Sequence, residues 1–180
     1  MTTTAVHQAP PFDVELAAAL ALVAEELPST ITPEMIGPMR DALITPPIEE
    51  LLAARPNVTH EDRTIPGPAG APDLIVSIFQ RRDHRNGGPG IYHTHGGGMI
   101  IGDRFTGIDV MLEWVELMDA VCVTVEYRLA PEHPDPALVD DCYAGLVWTA
   151  AHADELGFDA SRLIIAGASA GGGLCAGVTL

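Results

Sequence analysis

The sequence predicts an α/β fold in which helices cover both faces of a mostly parallel β-sheet. From residue 91 onward, short apolar runs alternate with longer segments that carry apolar residues at helical spacing. The chain has 180 residues, of which 47% are hydrophobic and 19% are charged, and this composition suits one packed core. Strands that alternate with helices pair in parallel through right-handed crossovers, and such sheets bind ligands at the carboxyl ends of their strands.

Three helices are predicted before the first strand. Residues 12–27 place apolar side chains at helical spacing, and Asp13 near the start is a good helix cap. A second helix is expected over 33–43, and a third follows two prolines and covers 48–54. The pattern changes at residue 58, where strand signals begin.

The first two strands are expected to form a hairpin. Residues 58–65 and 73–80 have strand composition, and the turn-rich segment 66–70 joins them. The remaining elements alternate along the chain. Strands are predicted at 91–95, 121–127 and 163–168, and helices at 107–119 and 136–156, the second ending at Gly157.

Composition and charge disfavour several classes of partner. The formal charge is −16, from 25 acidic and 9 basic residues, and every basic residue is arginine. This charge argues against nucleic acid and anionic membranes as partners. Residues 1–11 lack a basic flank followed by an apolar core, and no apolar stretch reaches about 18 residues, so we expect a cytoplasmic protein.

Cofactor and disulfide signals are weak. The sequence has no G-x-G-x-x-G, and a chain without lysine has no Walker lysine, so no cofactor is predicted. Cys122, Cys142 and Cys175 are widely spaced in apolar segments and are expected to be free, buried thiols.

The most informative motif is Gly167-x-Ser169-x-Gly171, which follows an apolar strand and precedes a segment of small residues. This pattern is typical of a nucleophile elbow, a tight strand-to-helix turn that exposes a serine hydroxyl. Strained backbone presents the hydroxyl oxygen, and the helix N-terminus favours negative charge beside it. The sequence therefore predicts Ser169 as a nucleophile.

A second motif, His95-Gly96-Gly97-Gly98, follows directly on a predicted strand. Glycines let backbone N–H groups approach a substrate oxygen, as an oxyanion hole requires. The alternative is a glycine-rich turn without a functional role, and the later serine motif favours the functional interpretation.

A third block, residues 127–134, reads Tyr-Arg-Leu-Ala-Pro-Glu-His-Pro. Together and in this order, the three motifs resemble the hormone-sensitive-lipase-like esterases of the α/β-hydrolase fold. The resemblance implies Gly97, Gly98 and Ala170 as oxyanion donors, and His95 as a residue that shapes the loop rather than the base. It also implies an N-terminal helical cap over 1–55 and the first half of the hydrolase core over 56–180.

The chain departs from this family pattern in two ways. Ala168 and Glu126 stand where the family often has aspartate, which leaves the proposed chemistry intact. In the family, the catalytic acid and histidine follow the serine, and no residue here matches them. We therefore expect the C-terminal part of the fold to be absent from this chain.

Other charged and imidazole groups have structural interpretations. His93-x-His95 has the spacing of a metal pair, but no further ligands follow, so no metal site is predicted. Arg128 and Glu132, four residues apart, are expected to form an ion pair that braces their loop. His152 is expected on the solvated surface of a helix.

The resemblance implies a serine carboxylesterase that hydrolyses short to medium acyl esters, with a small-molecule ester as its partner. We expect the 180-residue chain alone to be weakly active or inactive. Two alternatives remain: a non-catalytic small-molecule-binding module of the same fold, and an inactive fragment that self-associates into a homo-oligomer through an exposed sheet edge.

Overall fold

The computed structural model describes residues 10–24, 30–43 and 45–180 of the chain. The chain divides into two compact units, residues 1–35 and 36–180. The second unit contains the sheet, the crossover helices and all three sequence motifs.

The first described helix, α1 (Val14–Val23), lies in the first unit and begins as predicted. Asp13 caps it, because Oδ1 accepts hydrogen bonds from the backbone N–H groups of Glu15 (2.9 Å) and Leu16 (3.3 Å). The predicted end of this helix at Leu27 lies outside the described residues.

The next two helices, α2 (Pro33–Ala42) and α3 (Ile48–Ala53), confirm the second and third helix predictions. α3 buries Leu51 in a core that it shares with the sheet. The division into a cap (1–55) and a core (56–180) stays a prediction.

Five strands form one sheet in the described part of the chain. They are β1 (Val58–Ile65), β2 (Leu74–Arg81), β3 (Gly88–Thr94), β4 (Val121–Glu126) and β5 (Phe158–Gly167), in the order β1-β2-β4-β3-β5. β1 and β2 form the predicted antiparallel hairpin, and β2 is also antiparallel to β4. β3 is parallel to both β4 and β5. The sheet is therefore mixed: β2 runs opposite to the crossover strands, whereas β1, which is antiparallel to β2, runs in the same direction as they do.

Helices cover both faces of the sheet, as predicted. They are α4 (Asp109–Met118), α5 (Ala137–Ala151), α6 (Ala153–Leu156) and α7 (Ala170–Val178). Successive strand residues point to opposite faces. Tyr92 of β3 accordingly packs with Leu138 of α5 and Leu174 of α7, whereas its neighbour Ile91 packs with Leu112 of α4. None of the described helices has the length and apolarity that crossing a membrane requires.

The predicted helix over 136–156 is two helices, α5 and α6, which meet at His152. The backbone of His152 leaves helical geometry (φ −107°, ψ 16°), and its Nδ1 lies 2.7 Å from the carbonyl oxygen of Trp148. Its ring stacks on Trp148 with centroids 4.4 Å apart, so His152 is half-buried rather than fully solvated as predicted. Gly157 ends α6 in the left-handed conformation (φ 88°), as predicted.

β5 begins five residues before its predicted start. Its first part contains Asp159, Ser161 and Arg162, whose polarity conceals the strand pattern. Residues 158 and 159 nevertheless pair with the start of β3, across an irregularity between Pro89 and Gly90.

Two of the three cysteines are buried as predicted, and burial raises the pKa of the Cys122 and Cys142 thiols well above its usual value. Cys175 is only partly buried. All three are free thiols.

The parallel strands end at the same edge of the sheet. Thr94, the last residue of β3, pairs with Gly167, the last residue of β5, and His93 pairs with Thr124 near the end of β4. The glycine motif, the serine motif and the segment 127–134 each continue directly from one of these strand ends. The topology therefore brings the three motifs together.

Replacement of Gly145 by alanine should destabilise the protein by about 1–3 kcal/mol, because overpacking forces side chains and backbone to move. A Cβ at this position of α5 would overlap Oη of Tyr92, whose hydroxyl donates to the carbonyl oxygen of Cys142 (2.7 Å). Urea unfolding of the variant measures the loss.

Gly173→Ala is the matched control, because Gly173 also lies inside a helix, α7, and a new Cβ there would meet only Cε of Met99, at 4.0 Å. Alanine there should raise the free energy of unfolding by about 0.5–1 kcal/mol. Equal stabilities for the two variants would contradict close packing of α5 on β3.

Candidate active site

Ser169 lies in the turn between β5 and α7, with φ 54° and ψ −121°. A positive φ is costly for a residue with a side chain, by about 1–3 kcal/mol. The turn is closed by a hydrogen bond from Gly171 N–H to the carbonyl oxygen of Ala168 (2.9 Å). The side chain is exposed on a strained strand-to-helix turn, which is the geometry that the sequence motif predicts.

The two motif glycines let this turn lie directly on the end of β3. A Cβ on Gly171 would overlap the carbonyl oxygen of Thr94, and a Cβ on Gly167 would lie 2.6 Å from the same oxygen. Thr94 Oγ1 also donates to the carbonyl oxygen of Gly171 (2.9 Å). Any side chain at either position would push the serine turn away from β3.

The glycine loop folds against the serine turn. A Cβ on Gly96 would lie 2.9 Å from the carbonyl oxygen of Ala168 and 3.7 Å from Cβ of Ser169. Gly97 (φ 120°), Gly98 (φ 63°) and Met99 (φ 66°) all have positive φ. Glycine suits the first two positions, and only Met99 bears the cost of a side chain in this conformation.

His95 supports the glycine loop from its buried side. The carbonyl oxygen of Gly96 lies 2.7 Å from its Nδ1, which therefore donates, and its ring stacks on Tyr127 with centroids 4.1 Å apart. The Tyr127 hydroxyl donates to the carbonyl oxygen of His95 (2.7 Å). Burial lowers the pKa of His95, and among the described residues its Nε2 has no partner. Fully buried and bonded to its own loop, His95 is placed to shape the loop.

Three backbone N–H groups of the glycine loop and the serine turn have no acceptor in residues 10–24, 30–43 and 45–180. They belong to Gly97, Gly98 and Ala170. Ala170 begins α7, so its N–H is one that helix geometry leaves without a partner. Unpaired donors beside an exposed serine are what an oxyanion hole requires.

The serine opens into a cleft of about 550 Å³. Gly96, Gly97, Gly167 and Ser169 line it together. Apolar and small side chains from α4, β5 and α7 complete the wall: Val110, Met111, Trp114, Ile165, Ala166 and Cys175.

The remaining motif residues lie outside this cleft. Gly98 lines a second groove of about 560 Å³, on the side of Met99 and Gly173. His95 and Gly171 are buried beneath the turn. Ala170 lines neither the cleft nor the second groove.

His93 is a cleft residue that the sequence interpretation missed. Thr124 Oγ1 donates its proton to the carbonyl oxygen of Arg104 (2.8 Å), so it accepts from His93 Nδ1–H (2.9 Å). This fixes the tautomer, with the lone pair on Nε2. Burial, assisted by neighbouring His95, lowers the pKa of His93 to about 4, so the ring is neutral at pH 7. The available signal was its position two residues after Ile91, which packs on the α4 side of the sheet, because alternate strand residues share a face.

The predicted ion pair between Arg128 and Glu132 is wrong. Arg128 instead forms a two-point ion pair with the buried Asp141 of α5, with Nη2 2.6 Å from Oδ1 and Nε 2.8 Å from Oδ2. Glu132 pairs with Arg40 of α2 (2.9 Å). Four-residue spacing brings side chains together on a helix, and this segment is not helical.

The described residues contain no group of three or more His, Cys, Asp or Glu side chains that could hold a metal ion. Nδ1 of His93 bonds to Thr124 and Nδ1 of His95 to the Gly96 carbonyl. Both imidazoles therefore have structural partners.

Comparison with known proteins agrees with this geometry. Residues 91–180 match the family described as the alpha/beta hydrolase fold. The chain is 42% identical to Carboxylesterase NlhH of Mycobacterium tuberculosis over 134 residues, which are 74% of this chain and 40% of that protein. It is 33% identical to hormone-sensitive lipase of Mus musculus over 90 residues, which are 50% of this chain and 12% of that protein.

A solved structure titled "Bacterial Heroin Esterase" superimposes with a TM-score of 0.73 at 34% identity, covering 92% of this chain and 51% of that one. The chain thus spans about half, or less, of the length of these relatives. It belongs to the alpha/beta hydrolase family, in the branch related to hormone-sensitive lipase.

The neutral His93 should make the protein acid-labile between pH 6.5 and pH 4. In this range the unfolded chain binds a proton at His93 that the folded chain does not, so the free energy of unfolding falls as the pH falls. His93→Asn, which keeps an N–H donor for Thr124, should reduce this loss by about 2 kcal/mol between pH 7 and pH 4.5.

Urea unfolding at the two pH values checks this expectation. His60, which is paired with Asp62 on β1, supplies the control variant His60→Asn. Identical pH dependence in the natural protein and the His93 variant would contradict a neutral, buried His93.

Proposed function

We propose that this chain carries the nucleophile of a serine carboxylesterase, which cleaves esters through an acyl-enzyme on Ser169. The observation that carries the proposal is the strained, exposed Ser169 in one cleft with Gly97, beside N–H groups that have no acceptor among the described residues. The coarser conclusion, that the relatives are ester hydrolases, follows from their names.

The proposed reaction begins when Ser169 Oγ attacks the ester carbonyl carbon and gives its proton to a general base. The carbonyl oxygen becomes an oxyanion, which the N–H groups of Gly97, Gly98 and Ala170 stabilise. The N-terminus of the nine-residue helix α7 adds positive potential at the same point. The alcohol leaves with a proton, and water then releases the acid and restores the serine.

The general base is expected outside residues 10–24, 30–43 and 45–180. Within these residues no side chain hydrogen-bonds to Ser169 Oγ, His95 is bonded to its own loop, and His93 donates Nδ1–H to Thr124. In this family the acid and histidine follow the serine in chain order.

Short to medium acyl esters are the proposed substrates. The cleft is modest in volume, and Met111, Trp114 and Ile165 give it an apolar lining. Apolar walls around a few convergent polar groups suit a small neutral acyl chain.

A non-catalytic binding module is the second candidate. Such a module needs the cleft and has no need of a strained serine. The positive φ of Ser169 favours the enzyme, because strain of this kind persists where it serves a reaction.

Ser169→Ala should abolish hydrolysis of 4-nitrophenyl butyrate by the natural protein that contains this chain, with kcat reduced by about 10⁴-fold or more. The reason is that the acyl-enzyme cannot form. Ser161→Ala is the control, because Ser161 lies on the same strand, is exposed and bonds only to Asp159. A Ser169 variant with natural kcat would refute the nucleophile assignment, whereas an inactive natural protein that still binds the ester would support the binding module.

Residues 1–180 expressed alone should hydrolyse the same ester far more slowly, because Ser169 lacks a base among the described residues. A residual rate about 10³- to 10⁴-fold above water is consistent with the remaining amide donors and binding contacts. Turnover is measured together with native mass. The native mass tests self-association through β5, which lies at the edge of the described sheet and leaves Ile164 43% exposed. Natural turnover by a monomer would place the base upstream of the serine.

A further inference from the structure

Arg40 of α2 joins two separate segments beside the glycine loop. Its Nε donates to the carbonyl oxygen of Ile100 (2.7 Å), and its Nη2 donates to the carbonyl oxygen of Ala130 (2.8 Å). Nη1 and Nη2 also bind the two carboxylate oxygens of Glu132, each at 2.9 Å. Four of the five guanidinium protons are therefore used, in a planar arrangement that only arginine provides.

The hydrogen bond from Arg40 to Ile100 acts on the loop amides through two planar peptide groups, Ile100–Ile101 and Gly97–Gly98. A peptide unit is planar, so the Ile100 carbonyl and the Ile101 N–H move together. Ile101 N–H donates to the carbonyl oxygen of Gly97 (3.0 Å), and Ile100 N–H donates to the same oxygen (3.1 Å). The Gly97 carbonyl in turn shares its peptide plane with the N–H of Gly98. Fixing the Ile100 oxygen thus fixes the direction of the Gly98 N–H.

The second segment is attached to the same loop. Ala130 N–H donates to the carbonyl oxygen of Met99 (2.9 Å), and Ala130 O accepts from Arg40. Met99 has positive φ, so this part of the loop needs external contacts to hold its conformation. Arg40 closes a ring of hydrogen bonds around the strained loop.

We propose that Arg40 is a positioning residue that holds the Gly97–Gly98 peptide in the orientation required to bind the oxyanion. The proposal rests on the proposed function, and it adds to it a residue from α2, outside the three sequence motifs. Arg40 lies in the part of the predicted cap segment that belongs to the same compact unit as the loop, so the position of this part of α2 is coupled to the oxyanion amides.

The ion pair with Glu132 has a secondary role. Glu132 is 54% exposed, and an exposed pair contributes little to stability. The hydrogen bonds from Arg40 hold the pKa of Glu132 at about 2, well below its usual value, so the carboxylate remains charged at any assay pH. The carboxylate binds the outer side of the guanidinium, whereas the two carbonyl bonds of Arg40 act on the loop.

The test compares Arg40→Lys, Arg40→Ala and Glu132→Gln in the natural protein that contains this chain. Lysine keeps the charge and loses the fork of donors, whereas Glu132→Gln keeps both carbonyl bonds of Arg40. We expect kcat to fall about 10- to 100-fold in both Arg40 variants, with KM within about twofold, because displaced groups affect mainly the transition state. Glu132→Gln should keep kcat within about threefold.

A trifluoromethyl ketone that mimics the tetrahedral intermediate supplies the second readout. Its affinity should fall by the same factor as kcat/KM in the Arg40 variants, which a general loss of stability would not produce. Thermal unfolding of each variant identifies any that fail to fold, and Arg40→Lys carries the test if Arg40→Ala does not fold. Arg81→Ala, which removes an exposed pair with Asp83, is the control for loss of a surface arginine.

Two results would overturn the proposal. One is a kcat and an inhibitor affinity within about twofold of natural values in both Arg40 variants. The other is an equal loss in Glu132→Gln and Arg40→Lys, which would assign the effect to the ion pair alone. Ser169→Ala separates this proposal from the proposed function: if that variant is inactive while the Arg40 variants are normal, only the positioning role fails.

Discussion

The direct contact between the β5–α7 turn and the end of β3 is the constraint on which the site depends. Gly167 and Gly171 let the turn approach the Thr94 carbonyl more closely than any side chain would permit. Parallel pairing of β3 with β5 determines which residues meet in this contact, because Thr94 and Gly167 are register partners. The strain at Ser169 is held in place by the strand, the helix and this contact together.

A second layer of interactions supports the glycine loop from beneath and from the side. Beneath it, the buried His95 bonds to the carbonyl of Gly96 and stacks on Tyr127, which ties the loop to the segment that follows β4. From the side, Arg40 bonds to Ile100 and Ala130. All three parallel strand ends therefore contribute to the site, and a helix near the N-terminus adds a fourth support. Preorganised donors of this kind need no rearrangement when charge develops on the substrate.

Local sequence signals predicted much of this arrangement. The hairpin, the alternation of strands and helices, the serine turn and the glycine loop all have short motifs whose physical basis lies within a few residues. Gly157 was predicted as a helix end for the same reason, since one residue with positive φ is sufficient.

Interactions between residues distant in sequence were not predictable in this way. Arg40 and Glu132 are 92 positions apart, and the spacing of Arg128 and Glu132 suggested a different pair. The hydrogen bond that fixes the His93 tautomer was not predictable either, because its partner Thr124 lies on another strand and pairs with it only after the sheet forms. These features depend on contacts between elements that are far apart in the chain, and a single sequence does not show which elements meet.

Covalent trapping is the direct test of the proposed acyl-enzyme on Ser169. The natural protein that contains this chain is treated with one equivalent of a 4-nitrophenyl alkylphosphonate, digested and analysed by peptide mass spectrometry. We expect one added phosphonyl group per chain, located on Ser169, with loss of activity in proportion to labelling. A phosphonyl group on another residue of a fully inactivated protein, with Ser169 unmodified, would contradict it.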